Sequence, residues 1–519
     1  MCLFRAAGLA ALFVFLLTAP ARAEDIVLKS SDGAVEISGT LLGFDGDFYR
    51  VQTKYGELTV DSSGVLCEGP ACPNLTDYVA EVSISGSATM GEVLMPALIE
   101  AFALRNGYNV QRIVGSQTRF DFLLEEGKSG RELAVFTFNI SNTDQGFTDL
   151  LSNEADIVMA MREIRNIEVR EAYEAGLGDL EDHNRSRVVA LDAMVPVVAP
   201  GNPVRDISSA NLARVFAGQI TNWTDLGGPD APIALHLLDE RSGLAQAVED
   251  QLMQPARIEF SGGIQRHATS TTLIHAVLSD PFAFGIVGFS ETGNTQILTL
   301  TGECGFSLRA ARRTVKTEDY PLTAPMFLYL PARRLPKMAR EFLTYTRSPS
   351  AQIVIRRAGF VDQAPEEVSV NAQGDRFANA IAISGEEVPL KELKRMVTRL
   401  SPMKRLTTTF RFEAGSTRLD AQSRSNVQQL ARALEAGTYD ARRVVFVGFS
   451  DGDGWAEANR AIGQKRAETV RDAVLKAAET ASIEQLHIEV DSFGEALPMA
   501  CDDSAWGRQA NRRVEVWVQ

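Results

Sequence analysis

A stretch of charged and glycine-rich residues near the C-terminus constrains this chain most. The loop Gly448-Phe449-Ser450-Asp451-Gly452-Asp453-Gly454 follows the apolar run Val444-Val445-Phe446-Val447, the pattern of a buried strand running out into a turn. From about Trp455 to Ala478 the chain is rich in Ala, Glu, Lys and Arg. Ala461, Ile462, Val470, Ala473, Val474 and Ala477 recur there at helical spacing. Asn459 and Arg466 are seven residues apart and share one face of that helix. Asp451 leaves the strand just before the helix begins. A carboxylate on the loop and a guanidinium on the helix face make a two-ended clamp, the first suited to an ammonium and the second to a carboxylate. The same residues also have plainer readings, Asp451 as a helix cap and Arg466 as a solvated charge.

Further on come Phe493-Gly494-Glu495 with Pro498, and then Gly507-Arg508-Gln509-Ala510-Asn511-Arg512-Arg513-Val514-Glu515. Taken in this order, the segments resemble an OmpA-like peptidoglycan-binding domain, an α/β fold expected over 401–519. The resemblance implies that Asp451 and Arg466 hold diaminopimelate of the peptidoglycan stem, which offers both an ammonium and a carboxylate. It extends the ligand set to Asn459 and Arg513, while Arg512 and Arg513 are equally readable as ion-pair partners of Glu515. Two places depart from the family pattern: Gly-His-Thr-Asp reads Gly448-Phe449-Ser450-Asp451, and Leu-Ser before the arginine reads Ile462-Gly463.

The N-terminal residues read as an export signal over 1–23. Arg5 precedes the apolar stretch Ala10 to Leu17, and Ala21-Arg22-Ala23 is a small-x-small cleavage site. No lipobox cysteine follows, and no later run approaches the roughly 20 apolar residues of a membrane helix. The formal charge of −15 grows more negative once Arg5 and Arg22 leave, which argues against nucleic acid and anionic membranes as partners. Loss of Cys2 leaves four cysteines in an oxidising compartment. Cys67 and Cys72 bracket a turn-prone Glu-Gly-Pro-Ala and are expected to pair. Cys304 and Cys501 remain, a pair that would join two domains. No second ligand pair gives Cys67 and Cys72 zinc spacing, the five histidines are scattered, and neither metal nor cofactor is expected.

Between these ends the chain divides further. Residues 24–77 alternate polar and apolar in short runs broken by Asp32-Gly33, Asp45-Gly46 and Tyr55-Gly56, the pattern of a small all-β module. Residues 78–362 alternate strand-like and helical patterns, as an α/β fold does. Residues 363–400 read as a linker with one helix, Pro389 to Leu400.

In the central region Val82-Ser83-Ile84-Ser85-Gly86-Ser87-Ala88-Thr89 runs from a strand into a helix, and Val114-Gly115-Ser116-Gln117 is a second strand end. Asp156 opens a third strand, and Asp239-Glu240-Arg241-Ser242-Gly243-Leu244 is a further strand-to-helix turn. Free amides and hydroxyls at such helix starts suit an anion, although each serine is singly an ordinary cap. Together with Phe216-Ala217-Gly218-Gln219-Ile220-Thr221-Asn222-Trp223 and Asp280-Pro281…Gly285-Ile286-Val287-Gly288-Phe289, these segments resemble a phosphate-type periplasmic substrate-binding protein of ABC transporters. That family has two α/β lobes around a cleft. The resemblance implies oxyanion contacts from Ser87, Thr89, Ser116, Asp156, Arg241, Ser242 and Gly243. Asp156 would accept a proton-bearing phosphate oxygen and Arg241 would neutralise charge. Leu244 stands where the family has threonine.

The whole then reads as a non-enzymatic exported protein with phosphate or a similar oxyanion in its cleft and peptidoglycan at its C-terminus. Its place would be the periplasm, against the wall or the inner face of the outer membrane, with an ABC permease or another envelope protein as partner. The alternative is a structural protein whose lobes dock a partner in place of an anion, the reading that Leu244 favours. A more remote one is an esterase using Ser450 of Gly448-x-Ser-x-Gly452, for which only His487 follows in sequence.

Overall fold

The computed structural model describes residues 25–519 except 31, 76, 303, 305, 383–384, 386–387, 414–415 and 417. The export signal expected over 1–23 lies outside the described residues. The chain divides into two compact units, one running to Ala80 and including Leu335–Met338, the other comprising Glu81–Arg334 and Ala339–Gln519.

The first unit is a five-stranded antiparallel sheet. Its spatial order is Gly56–Asp61, Phe48–Thr53, Glu36–Phe44, Ile26–Ser30, Val65–Glu68. The alternation seen in sequence puts Ile26, Leu28, Tyr49 and Val51 inside. The Cys67–Cys72 disulfide packs against this core, with a Cα–Cα distance of 5.8 Å.

In the second unit, residues from Glu81 to about 362 form two α/β lobes on one continuous mixed sheet. The 13-residue strand Ser186–Val198 belongs to both lobes. Its first part pairs with Thr323–Tyr329, and from Met194 onward it pairs with Ala283–Gly288. One side of the sheet continues through Ile157–Ala160 and Ala80–Ser87, which are parallel, and the other through Ala234–Leu238. The Phe216 to Trp223 motif is a packing device. Trp223 is fully buried, stacks on Phe284 with ring centroids 5.6 Å apart, and donates its Nε1–H to the Phe282 carbonyl at 2.9 Å. Burial of so large a ring contributes on the order of 5 kcal/mol before entropy is counted, reason enough for this residue type here.

The C-terminal sheet has the order Glu367–Ser369, Lys404–Arg411, Arg513–Val518, Arg443–Phe449, His487–Gly494. Along Arg443–Phe449, residues 444 and 446 face the helices Ala421–Glu435 and Ala456–Ala477, while 445, 447 and 449 face Phe377, Leu393 and Met396. Residues 363–400 therefore do not behave as the linker expected from their charge. They supply an edge strand and the helices Gly374–Ala382 and Leu390–Leu400, whose apolar faces cover one side of the sheet. Pro389 to Leu400 is the helix that the sequence pattern predicts.

The C-terminal domain is joined to the lobes by the Cys304–Cys501 disulfide, Cα–Cα 5.6 Å, and by buried charge. Arg405 grips Asp319 bidentately at 2.7 and 2.9 Å. Glu515 is fully buried and takes Arg376 at 2.6 Å, Arg513 at 2.8 Å and the Trp517 indole at 3.1 Å, with Arg405 3.4 Å away. Despite burial, the three arginines hold the Glu515 carboxyl well below the usual carboxylate range.

Candidate functional site

The clamp at the C-terminal domain is built where strand Arg443–Phe449 leaves the sheet. Gly448 and Gly463 make that place possible. A Cβ on Gly448 would lie 1.9 Å from the Gly463 carbonyl oxygen, and one on Gly463 would lie 2.4 Å from Ser492 Oγ. The helix Ala456–Ala477 thus presses its backbone onto the strand end, which explains glycine at 463 where the family pattern has serine.

Asp451 sits just beyond the strand, buried, and its carboxylate takes the Arg512 Nη1–H at 2.6 Å. Arg466 reaches the same place from the helix. It lies over the Phe412 ring at 5.5 Å and forms no ion pair among the described residues, and its buried Nε has no hydrogen-bond partner. Burial, and then repulsion from Arg512, lower its pKa, with Asp451 opposing. Ser450 Oγ is likewise buried and unpartnered. Two guanidinium groups against one carboxylate leave a positive excess that a ligand carboxylate would balance, while Asp451 remains a site for an ammonium.

The surrounding loops are fixed by side-chain amides. Asn511 accepts the Met499 and Ala500 amides at 2.6 and 3.1 Å and donates to Asp502, whose other oxygen accepts the Gly452 amide at 2.8 Å. Asn459 is buried and donates to Glu495 at 2.7 Å, so it positions the Phe493-Gly494-Glu495 turn. Arg513 corrects the sequence reading. Its side chain is fully buried, bonded to Glu515 and to the Leu497 carbonyl, and stacked on Phe449 at 4.4 Å, out of reach of any ligand. Arg512, one residue earlier, faces the clamp. Trp455 is 85% exposed beside the loop, a second feature that spacing did not single out. The esterase geometry is also missing: His487 pairs with Arg443 and Gly494 with Phe449, which puts the imidazole about 20 Å along the strand from Ser450.

The interlobe site starts at Gly86. Its φ of +128° and the 2.2 Å that would separate its Cβ from the Met159 carbonyl oxygen require glycine. Ser87 is buried just beyond, and Thr89 opens the next helical turn without using its hydroxyl as a cap. From the other lobe, Gly243 abuts Met161 and Thr143, where a Cβ would lie 2.8 Å from Met161 Cβ and 3.2 Å from Thr143 Oγ1. Ser242 Oγ caps the helix Gly243–Val248 by accepting the Ala245 amide at 3.1 Å. Leu244 points into the apolar core, away from the cleft. Gln246 and Asp144 bridge the lobes at 2.6 Å.

The remaining predicted contacts lie elsewhere. Asp156 precedes strand Ile157–Ala160, and because that strand runs parallel to Ala80–Ser87, Asp156 lies beside Ser83, at the opposite strand end from Ser87. There it accepts the Ser83 amide at 2.8 Å and pairs with Arg333 at 2.6 Å. Ser116 is exposed on the turn between Tyr108–Val114 and Arg119–Glu126, its hydroxyl accepting the Thr118 amide at 3.2 Å. The Arg241 side chain is 83% exposed and meets Asp239 at 3.8 Å. Arg162, at the end of Ile157–Ala160, is buried but occupied by Glu168 and Asp144. Where the long strand changes partners, burial raises the Asp192 carboxyl to about 6 against the pull of its Ser290 hydrogen bonds.

Comparison with known proteins gives two family matches. The PBP superfamily domain matches residues 71–350 and the OmpA family matches residues 411–512. Protein SphX of Synechococcus elongatus is 25% identical over 293 residues, 52% of this chain and 85% of that protein. The phosphate-binding protein PstS of Bacillus subtilis is 28% identical over 197 residues, which span 38% of this chain and 62% of PstS. Among solved structures, an ABC-type phosphate transport receptor from Vibrio cholerae aligns with 54% of this chain and 99% of its own, at 18% identity and a TM-score of 0.42. The peptidoglycan-associated lipoprotein from Burkholderia pseudomallei aligns with 22% of this chain and 90% of its own, at 29% identity and a TM-score of 0.19. With more than half its length in the first match, the chain belongs to the PBP superfamily and carries a C-terminal OmpA-family domain.

Proposed function

We propose that this is a non-enzymatic protein of the bacterial periplasm, held to peptidoglycan through diaminopimelate and binding phosphate or a similar oxyanion between its lobes. The wall half rests on one observation: Asp451 lies beside two guanidinium groups, with Arg466 Nε and Ser450 Oγ buried and unpartnered. Buried polar atoms without partners cost free energy, which a zwitterionic ligand would recover. The cleft half is supported by the hydroxyls of Ser87 and Thr89 beside two helix starts, and by relatives named for phosphate. Tethering keeps the binding lobes near the wall at high effective concentration.

Each half has its own test. Insoluble peptidoglycan should retain the wild-type chain, and Asp451→Ala and Arg466→Ala should each weaken retention at least tenfold, since each removes charge-assisted bonds worth roughly 2 kcal/mol. Full retention of both variants would sink the clamp. In calorimetric titration, phosphate should bind and the Ser87→Ala/Thr89→Ala double variant should lose roughly a hundredfold in affinity, two hydrogen bonds to a charged group. Absence of phosphate heat would leave the second reading, in which the lobes dock an envelope protein such as a permease. That reading is favoured by the solvent-directed Arg241 and by Arg162, whose terminal nitrogens are already taken by Asp144 and Glu168.

A further inference from the structure

The junction between the lobes and the C-terminal domain holds a cavity of about 350 Å³ whose charge is not balanced. Arg347, from the turn after helix Lys337–Tyr345, and Arg432, from helix Ala421–Glu435, line it, and Arg187 of strand Ser186–Val198 stands beside them. None of the three is in an ion pair among the described residues. Glu435 acts electrostatically on Arg432, and Arg187 donates from Nε to the Asn184 carbonyl at 3.4 Å. Burial, and then mutual repulsion, bring Arg347 down to about 9 and lower Arg187 as well.

The other arginines at this junction differ: Arg405, Arg411 and Arg424 each face a carboxylate. The glutamines in the cavity wall are already occupied. Gln352 accepts the Gln363 amide at 2.8 Å, and Gln363 Nε2 donates to the Val188 carbonyl at 2.8 Å. Arg347 and Arg187 are half-buried and Arg432 is exposed, so their guanidinium groups stay open to an anion. A fold that lines one cavity with two arginines and sets a third beside them, in a chain of net charge −15, offers an anion a local excess of positive charge.

We infer that this cavity binds a small multivalent oxyanion of the condensed-phosphate class, which pins the C-terminal helix Ala421–Glu435 to the lobes. Planar forks match phosphate oxygens bidentately, and the volume, roughly that of ten waters, accommodates more than one phosphoryl group. The site is separate from Ser87 and Thr89 and does not depend on the reading of the cleft.

The test is calorimetric titration of the full chain with inorganic pyrophosphate at fixed ionic strength, with thermal unfolding in parallel. Saturable binding and a rise in Tm are expected, both weakened at least tenfold or lost in the Arg347→Gln/Arg432→Gln variant and kept in Ser87→Ala/Thr89→Ala. Without pyrophosphate, the arginine variant should melt at or above the wild-type temperature, because it relieves like-charge repulsion. Equal pyrophosphate affinity in that variant, no saturable binding to the wild type, or a lowered Tm without ligand would each overturn the proposal.

Discussion

Replacement of Glu515 by alanine is expected to destabilise the C-terminal domain by about 3–5 kcal/mol, the cost of leaving buried charge without its partner. Glu515 is the carboxylate on which Arg376, Arg405 and Arg513 converge, and two of these three guanidinium groups have almost no solvent contact. After the substitution the buried Asp319 is left facing them, and it already holds Arg405. Glu515→Gln is the sharper probe. It keeps the shape and a carbonyl oxygen for Arg513 but removes the charge, so a loss close to that of alanine identifies electrostatics as the cause. Denaturant unfolding at neutral pH measures both. A Glu515→Gln variant within about 1 kcal/mol of wild type would mean that packing carries the site. Because the folded carboxyl titrates below its unfolded value of 4.5, this contribution is present above that pH and fades as acid titrates the native group.

The same cluster shows how far the sequence could be read. The placement of Asp451 and Arg466 was legible because the strand-to-helix turn carries its own signature and spacing along one helix fixes the face. Arg512 and Arg513 were not separable in that way. They stand where helix Ala505–Asn511 passes into strand Arg513–Val518, and the pleat sends adjacent residues to opposite sides. One therefore meets Asp451 and the other enters the core. Asp156 failed for a related reason: an acidic residue at the start of a parallel strand lies at the end away from the ligand-facing carboxyl ends. Residues 363–400 looked like a linker because their composition is charged. Yet Phe377, Ala380, Leu393 and Met396 keep a helical stripe that is visible only once the uncovered sheet face is known. The junction of lobes and C-terminal domain, Asp319 with Arg405 and Cys304 with Cys501, joins residues so distant in sequence that no local pattern announces it.

That junction should also respond to pH through Glu318. This residue lies in the left-handed region at φ +55°, with its carboxylate 4.0 Å from Arg411 Nε and 3.4 Å from the Asn426 amide nitrogen. Burial pushes its carboxyl up to about 8, helped by Asp420 and Asp319 and opposed by Arg411 and Asn426. A folded pKa above the unfolded 4.5 means that the native state binds the proton more tightly. The stabilisation is therefore complete below about 4.5 and is lost as pH rises through 8. Each unit inside that window costs about 1.4 kcal/mol, so on the order of a few kcal/mol disappears between pH 5 and 8. Glu318→Gln should match wild type near pH 5, exceed it in Tm by several degrees at pH 8, and show a flatter profile between. Superimposable profiles would mean that Glu318 is ionised in the folded protein throughout. Since Arg411 also donates to the Glu318 carbonyl and to the Ala510 carbonyl, at 2.6 and 2.7 Å, a charge on this side chain acts directly on the contact between lobes and C-terminal domain. Alkaline conditions should therefore loosen the lobes from the C-terminal domain before either part unfolds.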